Sequence, residues 1–295
     1  MIIVKLIGGL GNQMFQYATG RKLALERGVE LKFDKGNLGA EVQPGVTPRD
    51  LEINLLNTKF VLATEEEILY FKKLNSNVLS RVFQRNFPFL LNRIYFAESG
   101  SSYMESISKL PGSAYLDGFW QSERYFSQIR NVLLEEFQPT QNLSETNQKL
   151  LSQIENTNSI SLHFRRGDYV TNKEANNYHG LINLSYYQNA VERVAEKVKD
   201  PEFFVFSDDP DWVKENFKIS FPIHFISENT GSKAIFDLLL MSKCKHNIIA
   251  NSSFSWWGAW LNTNEEKQVI APKNWFKDPS AKNVDLLPSS WIQME

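Results

Sequence analysis

The chain opens on Met1-Ile2-Ile3-Val4-Lys5-Leu6-Ile7, an apolar run interrupted only by Lys5. A short continuous run of this kind reads as a strand buried on both faces. Gly8-Gly9-Leu10-Gly11-Asn12-Gln13 breaks it as a loop. Met14, Tyr17, Ala18, Arg21 and Leu25 then fall at helical spacing, with Gly28 as the stop. Val29 to Phe33 reads as a second strand. The opening is therefore strand, glycine loop, helix and strand, the half-unit of an open α/β sheet.

Residues 35–137 carry a weaker pattern. Pro44-Gly45 and Thr47-Pro48 mark a loop, and helical spacing follows around Glu65–Lys73 and Asn77–Arg85. Tyr115 to Trp120 reads as a short strand, and Ser122 caps the helix after it. The polar stretch Gln138-Pro139-Thr140-Gln141-Asn142 breaks the pattern. It places a boundary between an N-terminal α/β domain, 1–140, and a C-terminal Rossmann-like domain, 141–295.

The second half alternates regularly. Ile160, Leu162 and Phe164 make a strand that ends in His163-Phe164-Arg165-Arg166-Gly167-Asp168-Tyr169. Ser185 caps a helix with Ala190, Val191, Val194 and Val198 on one face. Strand Phe203–Phe206 ends in Ser207-Asp208-Asp209-Pro210, and strand Ile223–Ile226 ends in Ser227-Glu228. Ser232 precedes a helix running to Lys243, and strand Asn247–Ala250 ends in Asn251-Ser252-Ser253. A tryptophan-rich helix and strand Val269–Ala271 close the series. Strands alternating with helices predict a parallel sheet, which brings these polar strand ends to one edge, where open α/β sheets bind ligands.

Bulk properties narrow the classes. At 295 residues two domains are expected. A net charge of −2 gives no general attraction to nucleic acid or to anionic lipid. A single cysteine, Cys244, excludes an intramolecular disulfide and suits a reducing compartment. The first apolar run is too short for a signal peptide or a membrane span.

The arginine pair is the strongest chemical signal, because a guanidinium offers a rigid fork of donors to phosphate oxygens. Asn251-Ser252-Ser253-Phe254-Ser255, at a strand-to-helix junction, combines hydroxyl and backbone donors into an anion cradle or an N-cap. Gly9 and Gly11 imitate a dinucleotide loop, but Met14 stands where Gly or Ala is needed for close helix packing, which argues against NAD. The loop instead suits a diphosphate or sugar facing Asn12 and Gln13. Asp209-Pro210-Asp211 reads as a helix start rather than a metal site. The four histidines have no zinc spacing, so no metal is expected. Trp256, Trp257 and Trp260 read as core.

Four ordered motifs together resemble the bacterial α-1,2-fucosyltransferases of glycosyltransferase family 11. They are Gly8-Gly9-Leu10-Gly11-Asn12-Gln13-Met14, Leu116-Asp117-Gly118-Phe119-Trp120-Gln121-Ser122-Glu123, His163-x-Arg165-Arg166-Gly167-Asp168-Tyr169 and Asn251-Ser252-Ser253-Phe254-Ser255-Trp256-Trp257. The resemblance implies a GT-B-like α/β fold of two Rossmann-like domains facing across a cleft, the first on the acceptor side and the second binding the donor. It implies metal-independent, inverting transfer of L-fucose from GDP-β-L-fucose to the 2-hydroxyl of a terminal galactose in a β-galactoside acceptor. No cofactor beyond the donor is implied.

By the same resemblance Arg165 meets the donor β-phosphate and His163 and Asp237 hold guanine. Asn251, Ser252, Ser253 and Phe254 lie at the diphosphate, and Asn12 lies at the sugar–phosphate end. Trp120 is assigned to the acceptor. Asp168 is the expected base, with Glu174 as the rival, since the family spacing falls on Lys173. The expected setting is the cytoplasm, in O-antigen or capsule synthesis, with peripheral contact at the membrane face. Fucosyl transfer to another linkage and non-catalytic carbohydrate binding are the alternatives.

Overall fold

The computed structural model describes residues 1–36, 38–40, 48–87, 90–100, 102–278, 280–281 and 284–295. The predicted loop residues Pro44, Gly45 and Thr47 lie outside them. The chain forms two compact units, Met1–Phe137 with Val284–Leu286, and Gln138–Asn283 with Leu287–Glu295.

The first unit contains a parallel sheet of β1 (Ile2–Lys5), β2 (Leu31–Asp34), β3 (Ile94–Ala97) and β4 (Ala114–Asp117), in the order β2-β1-β4-β3. The apolar opening run is the inner strand β1, and Ile2, Ile3 and Val4 are fully buried. Helix α1 (Leu10–Arg27) crosses to β2 and stops at Gly28, whose left-handed φ of 61° suits glycine. The helix packs closely on β1 at Gly20, where an added Cβ would come within 2.3 Å of Val4. The close approach missing at Met14 is thus supplied two turns further along. The helix is also tied to α4 (Arg130–Glu136): Tyr17 donates to Glu136 at 2.7 Å, and Arg21 meets the same carboxylate at 2.7 Å.

Two other helices, α2 (Glu65–Lys72) and α3 (Val78–Asn86), fall where helical spacing predicts them. A full capping box at Thr64 and Glu67 starts α2, and Asn77 caps α3. Ser122 does cap, but the element behind it is one 3-10 turn, Glu123–Tyr125. Strand β3, which no clear alternation announces, pairs with β4.

The second unit holds a parallel sheet in the order β10-β9-β8-β5-β6-β7: β5 (Asn158–Phe164), β6 (Pro201–Ser207), β7 (Ile223–Ile226), β8 (His246–Ile248), β9 (Val269–Pro272) and β10 (Ile292–Met294). The helices are α5 (Glu145–Asn156), α6 (Gly167–Thr171), α7 (Lys173–His179), α8 (Leu184–Ala195), α9 (Pro210–Asn216), α10 (Ala234–Lys243) and α11 (Ser253–Leu261). One face of β5, with Ile160, Leu162 and Phe164, packs on Tyr187, Val191 and Val194 of α8 in a single apolar cluster. Burying each such side chain contributes about 1.5–3 kcal/mol. The cap of α8 is Asn183 rather than Ser185. Trp256, Trp257 and Trp260 are buried and pack on one another, as core. Among the described residues, no helix is long and apolar enough to cross a membrane.

Candidate active site

Register decides what meets the arginine pair. Strands β5 and β6 run parallel with Phe164 opposite Ser207, so the residues just beyond each strand also face each other. Arg165 meets Asp208 at 2.7 Å and Asp168 at 2.6 Å. Arg166 meets Asp209 at 3.1 Å, and its guanidinium carbon lies over the Trp212 ring, 3.3 Å from its centre. The backbone N–H of Arg166 donates to Asp208 at 2.8 Å. The two arginines differ in their partners: Arg166 lies over Trp212 with 16% of its side-chain surface exposed, whereas Arg165 is held by two carboxylates with 23% exposed. Burial opposes its charge, but Asp208 and Asp168 outweigh burial and strengthen its hold on the proton.

Gly167 makes this clamp possible. A Cβ there would lie 2.5 Å from the Asp208 carboxylate. Gly167→Ala is expected to push Asp208 away, free one side of Arg165 and cost about 1–3 kcal/mol of stability. Thermal unfolding measures the cost, and an unchanged melting temperature would contradict the packing.

His163 lies on the opposite face of β5 from the apolar cluster. Its neighbours on that face are satisfied: Ser159 donates to the Ile154 carbonyl at 2.7 Å, and Ser161 accepts from Asn247 at 2.7 Å. His163 Nδ1 is buried with no hydrogen-bond partner. Burial lowers the imidazole pKa to about 4, with Asp208 opposing and Arg165 reinforcing the shift, so the ring is neutral at pH 7. Phe254 packs beside it, ring centres 5.8 Å apart. A neutral ring with an unanswered nitrogen can exchange a hydrogen bond with a heterocyclic ligand.

The following turn divides into supporting and available groups. Asn251 is expected at the donor, yet it is 1% exposed. Its amide donates to the carbonyls of His179, Gly180 and Trp275, so it anchors the loop, and Tyr169 donates to its carbonyl at 3.2 Å. Ser252 is the N-cap of α11 but makes no side-chain cap bond. Ser253 and Phe254 follow in the first turn, partly exposed. Asp237, on α10, is buried and accepts from Asn229 at 2.7 Å, while Asn229 and Asn147 exchange two further bonds. Burial raises its pKa to about 7 despite the Asn229 bond. Ser227 and Glu228 stand exposed beyond β7, one strand further out. Asp168 is tied to Arg165, and Glu174 is exposed at the start of α7.

In the first unit, Gly8 takes φ of 79° and its missing Cβ leaves room for the Asn12 amide. Asn12 accepts from Gln121 at 2.8 Å. The Gln13 amide is engaged by backbone groups. It donates to the carbonyls of Gly8 and Asp50 and accepts from the N–H groups of Glu52 and Ile53, fully buried. Glu52 meets the start of α1 by accepting from Leu10 at 3.0 Å. Trp120, expected at the acceptor, is wholly buried. It stacks on Phe96 with a left-handed φ of 58°, while Glu98 accepts from the N–H groups of Phe119 and Trp120. Sequence reading missed Asp208 as the partner of Arg165. The adjacent polar ends of two neighbouring strands were the available signal. Glu52 and Glu98 lie in loop segments with no local pattern to mark them.

The start of α9 has Asp209 at the N-cap position and Pro210 at N1, as expected, but the Asp209 carboxylate pairs with Arg166 instead of capping. Among the described residues, no group of three His, Cys, Asp or Glu side chains is placed to hold a metal ion.

The whole chain, residues 1–295, matches the glycosyl transferase family 11 model. It is 38% identical over 302 residues to the alpha-1,2-colitosyltransferase of Escherichia coli, covering 100% of this chain and 99% of the relative. It is 33% identical over 305 residues to the O-antigen biosynthesis glycosyltransferase WbnK of Escherichia coli, covering 98% and 99%. Its fold is similar to a solved mutant of Arabidopsis thaliana FUT1 in complex with GDP, with a TM-score of 0.52 at 15% identity, covering 97% of this chain and 74% of the other. The two parallel-sheet units are of the GT-B-like α/β class, and the chain belongs to glycosyl transferase family 11, a family of glycosyltransferases.

Proposed function

We propose that the protein is a galactoside α-1,2-fucosyltransferase that takes L-fucose from GDP-β-L-fucose with inversion and without a metal. The observation that carries this reading is Arg165, fixed at the end of β5 between Asp168 and Asp208. Displacement at the sugar carbon leaves charge on the GDP diphosphate. A preoriented guanidinium stabilises that charge without reorganising, and the serine turn starting α11 adds hydroxyl and backbone donors. His163 and Asp237 offer guanine a neutral ring and a carboxyl group. Asp168 is the base in this proposal, and its pairing with Arg165 makes it a group that also orients the guanidinium. The acceptor belongs to the first unit, with the buried Trp120 shaping the Phe119–Gln121 turn rather than touching sugar.

The colitosyltransferase relative favours a second donor, GDP-colitose, with the same α-1,2 linkage. Colitose is L-fucose without its 3-hydroxyl, so one hydrogen-bonding group separates the two donors. A site that hydrogen-bonds a hydroxyl rejects the analogue lacking it far more strongly than an apolar pocket rejects an added one. Initial rates with both donors decide, using lactose, N-acetyllactosamine and Galβ1,3-linked disaccharides as acceptors and NMR to read the linkage. The expected result is transfer from GDP-fucose to the galactose 2-hydroxyl. Transfer from GDP-colitose alone, or to another hydroxyl, would replace this reading.

A further inference from the structure

Helix α3 is turned inside out. Its inward side is polar: Ser80 donates to the Leu74 carbonyl at 2.6 Å, and buried Gln84 donates to the same carbonyl while accepting from the Tyr95 N–H at 2.7 Å. Its outward side is apolar. Val78, Leu79, Val82 and Phe83 recur at helical spacing, interrupted by Asn86, and line a groove with Phe87. Leu79 is 83% exposed, Val78 63% and Phe83 46%. Helices of soluble proteins normally bury the apolar stripe, and a contiguous exposed one marks an interaction surface.

Charge identifies what covers it. From Ile68 to Ala97 the chain carries Lys73, Arg81, Arg85 and Arg93, besides Lys72, which pairs with Asp34 at 3.0 Å, and not one Asp or Glu, although the net charge of the whole chain is −2. Arg81 borders the apolar face, and Arg81 and Lys73 are exposed. A second copy meeting this face would set Lys73 and Arg81 against the same cations of its partner. An anionic bilayer answers both features, since its headgroups attract the cations and its acyl boundary accepts Leu, Val and Phe side chains. We infer that the α3 face is a docking surface for an anionic phospholipid membrane, with the helix lying in the interface rather than crossing it. The inference is independent of which sugar is transferred.

Flotation of the full chain with vesicles tests it, comparing phosphatidylcholine alone with a mixture containing roughly a third phosphatidylglycerol. The wild type should bind the anionic vesicles and release in high salt. Leu79→Ser combined with Phe83→Ser should lower partitioning about tenfold or more, because two inserted side chains are lost. Arg81→Glu should lower binding to anionic vesicles about fivefold or more. Both variants should keep the wild-type melting temperature, since the altered side chains face outward. Equal binding to both vesicle types, or to neither, would overturn the inference. So would a wild-type dimer in sedimentation that the double variant converts to monomer, which would give the face to a second copy.

Discussion

Replacing Arg165 with alanine is expected to lower kcat/KM for sugar transfer by about a thousandfold or more. The argument begins with charge. In the free protein the guanidinium lies between Asp168 and Asp208, at 2.6 and 2.7 Å. Removing it takes away a preoriented donor for the departing diphosphate and leaves two carboxylates close to where that diphosphate is proposed to sit. The loss is therefore larger than the deletion of one hydrogen bond. Arg165→Lys keeps the charge but loses the fork that can serve a carboxylate and a phosphate together. It should recover only part of the activity, with a rate still about tenfold or more below wild type. Initial rates with radiolabelled GDP-fucose, alongside thermal unfolding to confirm the fold, give the answer. An alanine variant as active as the parent would end the proposed mechanism.

Asp237 should govern nucleotide affinity and make it depend on pH. Burial raises its pKa to about 7. An ionised carboxylate is the better acceptor for the N–H groups of guanine, so GDP affinity should rise as pH rises through about 7 and then level off. Asp237→Ala should weaken GDP binding about tenfold to a hundredfold, the scale of hydrogen bonds to a charged group, and change kcat much less. Titration calorimetry across this range checks both statements. A pH-independent GDP affinity that the alanine variant shares would remove Asp237 from the guanine site.

The same residue has a stability signature in the free protein. A carboxyl group with a raised folded-state pKa stabilises the fold fully below the unfolded value near 4, and that contribution is lost as pH rises to about 7. The contribution at stake is about 4 kcal/mol. Asp237→Asn, which needs no ionisation, should flatten this part of the stability profile.

Much of the molecule is legible in local pattern. The apolar opening run gives β1, the spacing from Met14 to Leu25 gives α1, and Gly28 ends it, because each depends on contacts within a few residues. The core role of Trp256, Trp257 and Trp260 follows from helical spacing in the same way. Less was visible where signals are short. Strand β10 has three residues, and α6 and α7 lie in what reads as a plain arginine loop. The boundaries of β5 and β6 lie one to two residues outside their apolar alternation, because inner strands of a parallel sheet also bury polar residues such as Ser159.

By itself the sequence determined the alternation of strands and helices, the parallel character of the second sheet, and the gathering of polar strand ends at one edge, since periodicity and crossover handedness are local rules. Tertiary structure alone decided the partners of the two adjacent arginines: Arg166 is stacked on Trp212, 46 positions away, and Arg165 is paired with Asp208, just beyond β6. It likewise decided that Gln13 braces a loop, that Trp120 is core, and that α3 shows its apolar side to solvent. The reason is the same in each case. A side chain's role is set by partners that register and packing bring together from distant parts of the chain, and no window of neighbouring residues contains them.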